Sequence, residues 1–391
     1  MKEQHIAVAG SPPETLEVLA LEPYFGLSHR TFLEGYRRYS RHRVAIWSLP
    51  PRKWKWRMRG AAYLFASRAA EMPPADVPHV VLASDFLNLA DWRAVAPRPW
   101  RDVPVVAYFH ENQLTYPLSE AAPADFHHGW INLSTALAAD AVLFNSRFHR
   151  ESFLDAVGLA LAKMPDHVPP GLVERLERLS DVFPVGVDFE PHRAAFARRP
   201  RDPGATGFPS SPLLLWNHRW EHDKGPDLLA AALLELRAKG VRFRLALCGE
   251  SSQPPPAEFE ALRTRLDDDI VQFGFCASRD EYLDLVARAD VVLSTARHDF
   301  FGVAVLEAIY LGCLPALPRD LSYPEIVPEA LHDRLLYESG RNLAAWLRRF
   351  LREPPLAARG TLREAAARFD WKVLAPRLDA ILGETAARGR R

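Results

Sequence analysis

Apolar residues in the second half of the chain fall in short runs that alternate with helical stretches. Residues 213–216, Leu-Leu-Leu-Trp, predict a strand that ends in a polar loop at 217–223. Pro226 then sits where a proline suits the first turn of a helix, and Leu228, Leu229, Leu233 and Leu236 follow at helical spacing. Val241, Phe243, Leu245 and Leu247 alternate with Arg242, Arg244 and Ala246, which predicts a second strand closed by Gly249. Strand-like runs at 270–275 and 291–294 and helical stretches at 281–289 and 303–311 continue the rhythm. Repeated strand-helix units of this length predict a doubly wound parallel sheet.

The first half shows the same grammar, with strands predicted at 16–21, 44–49, 80–83, 103–109 and 141–144, and 182–187 closing the domain. Between the halves, residues 198–212 are rich in Pro, Gly and Ser and read as a linker. The expected division is therefore a first domain at 1–197, the linker at 198–212, a second domain at 213–372 and a terminal helix or tail at 373–391. The fold class is α/β: two Rossmann-like, doubly wound parallel-sheet domains facing across a cleft. The carboxyl ends of the strands would line that cleft, where open α/β sheets bind ligands. The proline-rich stretch 253–256 reads as a turn.

Composition narrows the picture in three ways. With 391 residues, 48% of them hydrophobic, the chain can bury two cores of moderate size. Lys plus Arg equals Asp plus Glu at 49 each, so contact with nucleic acid requires a local patch rather than a global field. No apolar run approaches the roughly 20 residues that span a bilayer, and the opening residues 1–5 lack the layout of a secretory signal. A soluble, cytoplasmic protein is the expectation. Cys248, Cys276 and Cys313 are scattered in apolar stretches without ligand spacing and read as core residues, with neither zinc nor disulfide expected.

Two loops of the second half carry candidate chemistry. Arg219 and Lys224 lie in the loop that precedes the helix beginning at Pro226, so two cations and a helix N-terminus would converge as a phosphate site; a solvated basic loop is the alternative. Further on, Asp299 and Glu307 stand eight residues apart around Gly302, which lets a backbone approach a ligand closely at a helix start. Together these segments resemble the nucleotide-sugar site of retaining GT-B glycosyltransferases, which carry an Arg then Lys-Gly before one helix and E-x7-E before another. The resemblance implies that Arg219 and Lys224 bind the donor diphosphate, that Glu307 takes the ribose hydroxyls, and that Phe301, Gly302 and Val303 line the donor site. Asp299 replaces the usual first Glu and is one methylene shorter.

The first half narrows the likeness. Glu22-Pro23-Tyr24-Phe25-Gly26-Leu27-Ser28-His29, the basic stretch 49–57, and His110-Glu111-Asn112-Gln113-Leu114-Thr115-Tyr116-Pro117 resemble the tRNA-queuosine α-mannosyltransferases and their bacterial relatives. That family implies GDP-mannose as donor and the queuosine of tRNA(Asp) as acceptor. Where the family has two glycines before the Ser-His pair, this chain has Gly26-Leu27, leaving Gly26 to make the tight approach. The amides and hydroxyl of Gly26 and Ser28 can face donor phosphates, with a plain turn as the alternative. His110, at the end of an apolar strand, can as a neutral imidazole accept a bond from a sugar hydroxyl or position the acceptor, with Glu111 and Asn112 beside it; a satisfied core histidine is the alternative. Asn145 and Ser146 read equally as cleft residues or as a helix cap.

Arg52, Lys53, Trp54, Lys55, Trp56 and Arg57 form the densest basic segment of the chain. Cations can neutralise phosphates while tryptophans stack on splayed bases, at about 1–3 kcal/mol per base, so this segment is the candidate grip on a tRNA anticodon loop. A membrane-surface anchor and a solvated helix are the competing readings. For the reaction, Arg219, Lys224 and two helix N-termini would stabilise the departing nucleoside diphosphate. Divalent-cation dependence and a cofactor are not predicted. The resemblance implies retention by front-face attack, with Asp299 near the developing positive charge and no covalent nucleophile. A glycosyltransferase with a lipid, glycan or small-molecule acceptor, and a non-catalytic nucleotide-sugar or RNA-binding protein, remain the alternatives.

Overall fold

Strands buried on both faces read as unbroken apolar runs because helices cover each side of a parallel sheet, and both halves of this chain are built that way. The computed structural model describes residues 14–117, 126–198, 206–249, 255–340 and 342–389. The segment 199–205 of the expected linker and residues 253–254 of the expected turn lie outside the described residues.

Unit 1 carries β1 (Glu17–Glu22), β2 (Arg43–Ser48), β3 (Val80–Ser84), β4 (Val105–Phe109), β5 (Ala141–Phe144) and β6 (Ser180–Val182). They form one parallel sheet in the order β2-β1-β3-β4-β5-β6. The last strand ends earlier than the pattern predicts. Phe183 still donates to the Phe144 carbonyl at 2.8 Å, but Pro184 has no N–H with which to continue the ladder.

Unit 2 carries β7 (Leu213–Trp216), β8 (Arg244–Cys248), β9 (Ile270–Gly274), β10 (Val291–Leu293), β11 (Leu314–Pro318) and β12 (Leu336–Tyr337), ordered β12-β11-β10-β7-β8-β9 and all parallel. The predicted helices appear as Pro226–Ala238, Arg279–Arg288 and Val303–Tyr310. All three cysteines are buried and free.

The division of the chain differs from the linker-based expectation. Unit 1 comprises Met1–Gly186 together with Trp371–Arg391, and unit 2 comprises Val187–Asp370. The terminal helix Trp371–Arg388 is thus part of the first unit rather than a tail. Its Trp371 indole is fully buried against Phe32, Tyr36 and Phe183. Gly35 and Gly186 make the space, since a Cβ there would stand 2.1 and 2.4 Å from the indole. Two turns further, the buried carboxylate of Asp379 accepts bonds from Tyr36 Oη (2.7 Å), Ser40 Oγ (2.6 Å) and the Arg41 amide (3.0 Å). A buried carboxyl group needs such hydrogen-bond partners to offset its lost hydration. Among the described residues, no helix is long and apolar enough to cross a membrane.

Candidate active site

In unit 2 the loop after β7 folds back beneath the loop after β10. The helix Pro226–Ala238 starts at Gly225, whose backbone is left-handed (φ +65°) and lies so close to β10's following loop that a Cβ would stand 2.2 Å from the Thr295 carbonyl oxygen. Only glycine meets both demands. Thr295 Oγ1 in turn donates to the Lys224 carbonyl (2.9 Å) and accepts from Trp216 Nε1 (3.1 Å). This bracing places the Lys224 ammonium, which is buried, against the His298 carbonyl (2.6 Å), Asp223 Oδ2 (3.1 Å) and Asp299 Oδ2 (3.8 Å).

Asp299 is oriented from three sides. Its Oδ1 accepts the Phe301 amide at 3.3 Å, its Oδ2 accepts Tyr323 Oη at 3.1 Å, and Lys224 supplies charge. Burial works against ionisation, yet Lys224, His218 and these bonds outweigh it and hold the carboxyl below its usual range. The neighbouring imidazoles go the other way. Burial above all lowers His218 to about 4, and burial with Lys224 lowers His298 to about 4, so both are neutral at pH 7. Gly302 (φ +83°) starts the helix Val303–Tyr310, and Tyr323 occupies the space where its Cβ would be, 2.9 Å away.

Glu307 is buried inside that helix, and its carboxylate is engaged by Arg279 and lies 3.3 Å from His192 Nε2. Burial alone would raise its pKa; His192 and Arg279 overcome this and hold it at about 2. Asn217 ties the two loops together, donating to the Ala304 carbonyl and to Tyr282 Oη at 2.9 Å each. Lys224, Asp299 and Gly302 are therefore gathered as the sequence predicts. Arg219 is exposed and pairs with Glu221 at 3.1 Å, and its charge acts on His218 beside those of Lys224 and Asp299.

In unit 1 the candidates divide. Gly26 caps the helix Leu27–Tyr39 in an extended conformation (φ −155°), so free turning is not what it supplies. It is required because Pro51 lies where a Cβ would be, 2.5 Å away. The left-handed position is the next one, Leu27 (φ +46°), where the side chain is exposed. Ser28 is exposed on the first helical turn. His110 follows β4 and is buried. Its amide donates to Asp85 Oδ1 (2.9 Å) and its carbonyl accepts Asn145 Nδ2 (2.8 Å). Ser146 caps the following helix through the His149 amide.

Two expectations are corrected here. Asn112 is fully buried, and its Oδ1 accepts the amides of Leu114 and Thr115 at 3.0 Å, so it shapes its own turn and is not open to an acceptor. Trp54 is partly buried and packs on Phe86 and His128, which leaves it less available for stacking than a surface ring. Trp56, by contrast, is 65% exposed. Glu111 accepts a bond from Gln113 Nε2 at 2.9 Å. Arg52, Lys53 and Lys55 are exposed, and Arg57 lies half-buried against the Pro50 carbonyl.

Sequence reasoning missed four partners: Tyr323 on Asp299, His192 and Arg279 on Glu307, and His29 beneath His110, which stacks on it at 3.9 Å. His29 Nδ1 lies 3.0 Å from Glu22 Oε2, whose other oxygen accepts from Ser84 Oγ and the Tyr24 amide. Donor atoms of Glu22, His29 and His110 all fall within 4.8 Å of one another. Both Glu22 oxygens are already engaged by His29, Ser84 and the Tyr24 amide.

Residues 17–187 match the family described as tRNA-queuosine alpha-mannosyltransferase N-terminal, and residues 199–368 match glycosyl transferases group 1. A Drosophila melanogaster tRNA-queuosine alpha-mannosyltransferase is 38% identical over 86% of this chain and 87% of its own. A Mycobacterium tuberculosis GDP-mannose-dependent alpha-(1-6)-phosphatidylinositol dimannoside mannosyltransferase is 29% identical over 66% of this chain and 61% of its own. Among solved structures, Anabaena HepE in complex with UDP superposes with a TM-score of 0.65 at 17% identity, covering 94% of this chain and 100% of that one. The two Rossmann-like halves, each a six-stranded parallel sheet, are those of the GT-B class.

Proposed function

Because the chain belongs to the tRNA-queuosine alpha-mannosyltransferase family, we propose that it transfers mannose, with retention, from GDP-mannose to the queuosine nucleoside of tRNA, tRNA(Asp) in the first instance. The observation that carries the donor half of this reading is the buried Lys224 ammonium between Asp223 and Asp299, beside two helix starts at Gly225 and Gly302. A leaving diphosphate gathers negative charge as the glycosidic bond lengthens. An ammonium fixed in advance and two sets of helix amides stabilise that charge without reorganising. Arg219, paired with Glu221 on the same loop, adds a guanidinium fork suited to phosphate oxygens. Asp299, kept ionised by Lys224 and aimed by Tyr323, supports the positive charge that develops at the anomeric carbon. Glu307, anionic at any physiological pH, accepts the ribose hydroxyls. His110, neutral, takes part on the acceptor side. The reaction belongs in the cytoplasm, where tRNA is available.

The acceptor RNA is gripped, on this reading, by the helix Trp54–Ala70 and the two residues before it. Residues 52–70 hold six Lys or Arg and no Asp or Glu. Gly60 lets the Trp56 indole lie along the helix, its ring atoms 2.9 Å from where a Cβ would stand, so one flat aromatic face is presented among cations. Base stacking of this kind contributes about 1–3 kcal/mol.

The test is to incubate the protein with GDP-mannose and tRNA from cells able and unable to make queuosine, and to look by mass spectrometry for a nucleoside heavier by one hexose. Hexose on queuosine in the competent tRNA alone is expected; no modification of either sinks the RNA acceptor. Trp56→Ala is expected to weaken tRNA binding about 5- to 150-fold, the equivalent of that stacking energy. Unchanged affinity removes Trp56 from the RNA surface.

A further inference from the structure

The carboxyl ends of β1, β3 and β4 bring together buried ionisable groups of which the proposed reaction uses only His110. Glu22, the last residue of β1, is wholly buried and faces His29 on the first turn of the next helix at 3.0 Å. The His29 ring is walled by Tyr24 and Phe86, and its open face lies on His110, with centroids 3.9 Å apart and planes 29° from parallel. Phe32 and Tyr108 close the other sides of His110. Among the described residues the His110 imidazole makes no hydrogen bond, and the residue keeps 8% of its surface exposed.

We propose that His29 is a positioning residue: fixed as an imidazolium by Glu22 and stacked on His110, it holds the His110 imidazole neutral, ready to accept a hydrogen bond from a hydroxyl of the reacting sugar or nucleoside. The role given to that hydroxyl rests on the proposed function; the charge relation between the two rings does not. Two parallel cations at such a separation repel strongly in a buried setting, and only one of the pair has a carboxylate.

The charges around the pair agree with this assignment. Burial disfavours a charged His29, but the ion pair and hydrogen bond from Glu22, with Asp85 and Glu111 behind them, raise it to about 9. His110 is held well below the usual histidine range by burial first, then by His29, then by His149. The other ionisable groups facing the pair are Tyr24 and Tyr108, and burial raises Asp85 well above the usual carboxylate range. Asp85 therefore offers His110 less charge than its position suggests.

Two measurements test this on the full chain. With histidine labelled by nitrogen-15, NMR titration is expected to show one imidazolium that persists above pH 8 and is lost in His29→Gln, and a His110 ring, assigned through His110→Gln, that stays neutral below pH 6. Wild type in which the His29 ring is already neutral at pH 7 overturns the proposal without any activity measurement. In His29→Gln, His110 loses the repulsion from His29 while burial still acts on it, so its titration should move up towards the ordinary histidine range and the ratio of kcat at pH 8 to kcat at pH 5.5 should rise above the wild-type ratio. A purely structural role for His29 lowers kcat equally at both pH values, and a ratio unchanged from wild type overturns the proposal. Failure of the transfer assay with wild type leaves the titration result standing and rejects only the reaction.

Discussion

Lys224→Met isolates the charge balance on which the donor half depends. In the wild type the ammonium sits within 3.1 Å of Asp223 and 3.8 Å of Asp299 and donates to the His298 carbonyl, with both carboxylates largely withdrawn from water. Methionine keeps the volume and removes the charge, leaving two buried carboxylates without their shared counter-ion. Breaking a buried pair from one side costs about 3–5 kcal/mol. For a unit of this size each kcal/mol shifts Tm by roughly 2–4 °C, so a fall of about 6–20 °C is expected. The sign with pH follows from Asp299. Its folded pKa is depressed, so Lys224 stabilises the protein above the carboxyl's ordinary value of 3.8, and the contribution is lost as pH falls through the folded value. The deficit of the variant is therefore full at pH 7 and closes below about pH 4. Adding Asp299→Asn removes one of the stranded charges, and urea unfolding should show at least about 1 kcal/mol of favourable coupling between the two substitutions. Nucleotide binding, followed by calorimetry, should be lost in the single variant and not return in the double one. If Lys224→Met unfolds with wild-type stability, or if the two substitutions are simply additive, the charge balance described here is wrong.

Glu307 behaves similarly with a different partner set. Held at about 2 against an ordinary 4.5, it contributes about 3 kcal/mol that is full at pH 7 and is lost as pH falls from 4.5 through 2. Glu307→Gln should lower stability by that order at pH 7, with the gap from wild type narrowing in urea titrations at pH 3; a gap independent of pH contradicts the assignment. Leu27 pays for a left-handed backbone at a helix start. Leu27→Gly relieves about 1–2 kcal/mol of that strain against about 0.5–1 kcal/mol of added chain entropy. A small rise in Tm is expected, and a fall shows that the position is not strained.

Much of this was legible in the chain and some was not, for definable reasons. Strands that are unbroken apolar runs, such as β4 and β7, announce themselves, whereas β11 carries Pro315 and Pro318 and β12 has two residues, so neither gives a pattern. The Lys224 and Asp299 loops were readable because helix starts and charged residues are local signals. Tyr323 was not, since 24 positions separate it from the carboxylate it orients. The difference between Trp54 and Trp56 was available in principle. Met58, Ala61, Ala62, Phe65, Ala66 and Ala69 are buried in the helix Trp54–Ala70, and Trp54 continues that stripe while Trp56 falls outside it. Glu22 also gave a usable signal: a buried carboxylate directly after the apolar run at residues 18–21 must find a partner, and His29 is one helical turn beyond the cap.

The return of the chain to unit 1 after Asp370 sets an order of events during synthesis. Unit 2 is one uninterrupted stretch and can close its sheet as soon as it has emerged, while the earlier-made unit 1 lacks the indole between Gly35 and Gly186 and the acceptor for Tyr36 until Trp371 and Asp379 arrive. At translation rates of about 5–20 residues per second, that wait is on the order of 10–40 s. The usual N-to-C sequence of domain maturation is inverted in this chain. A nascent unit 1 with an open aromatic cavity is the species that chaperones would meet.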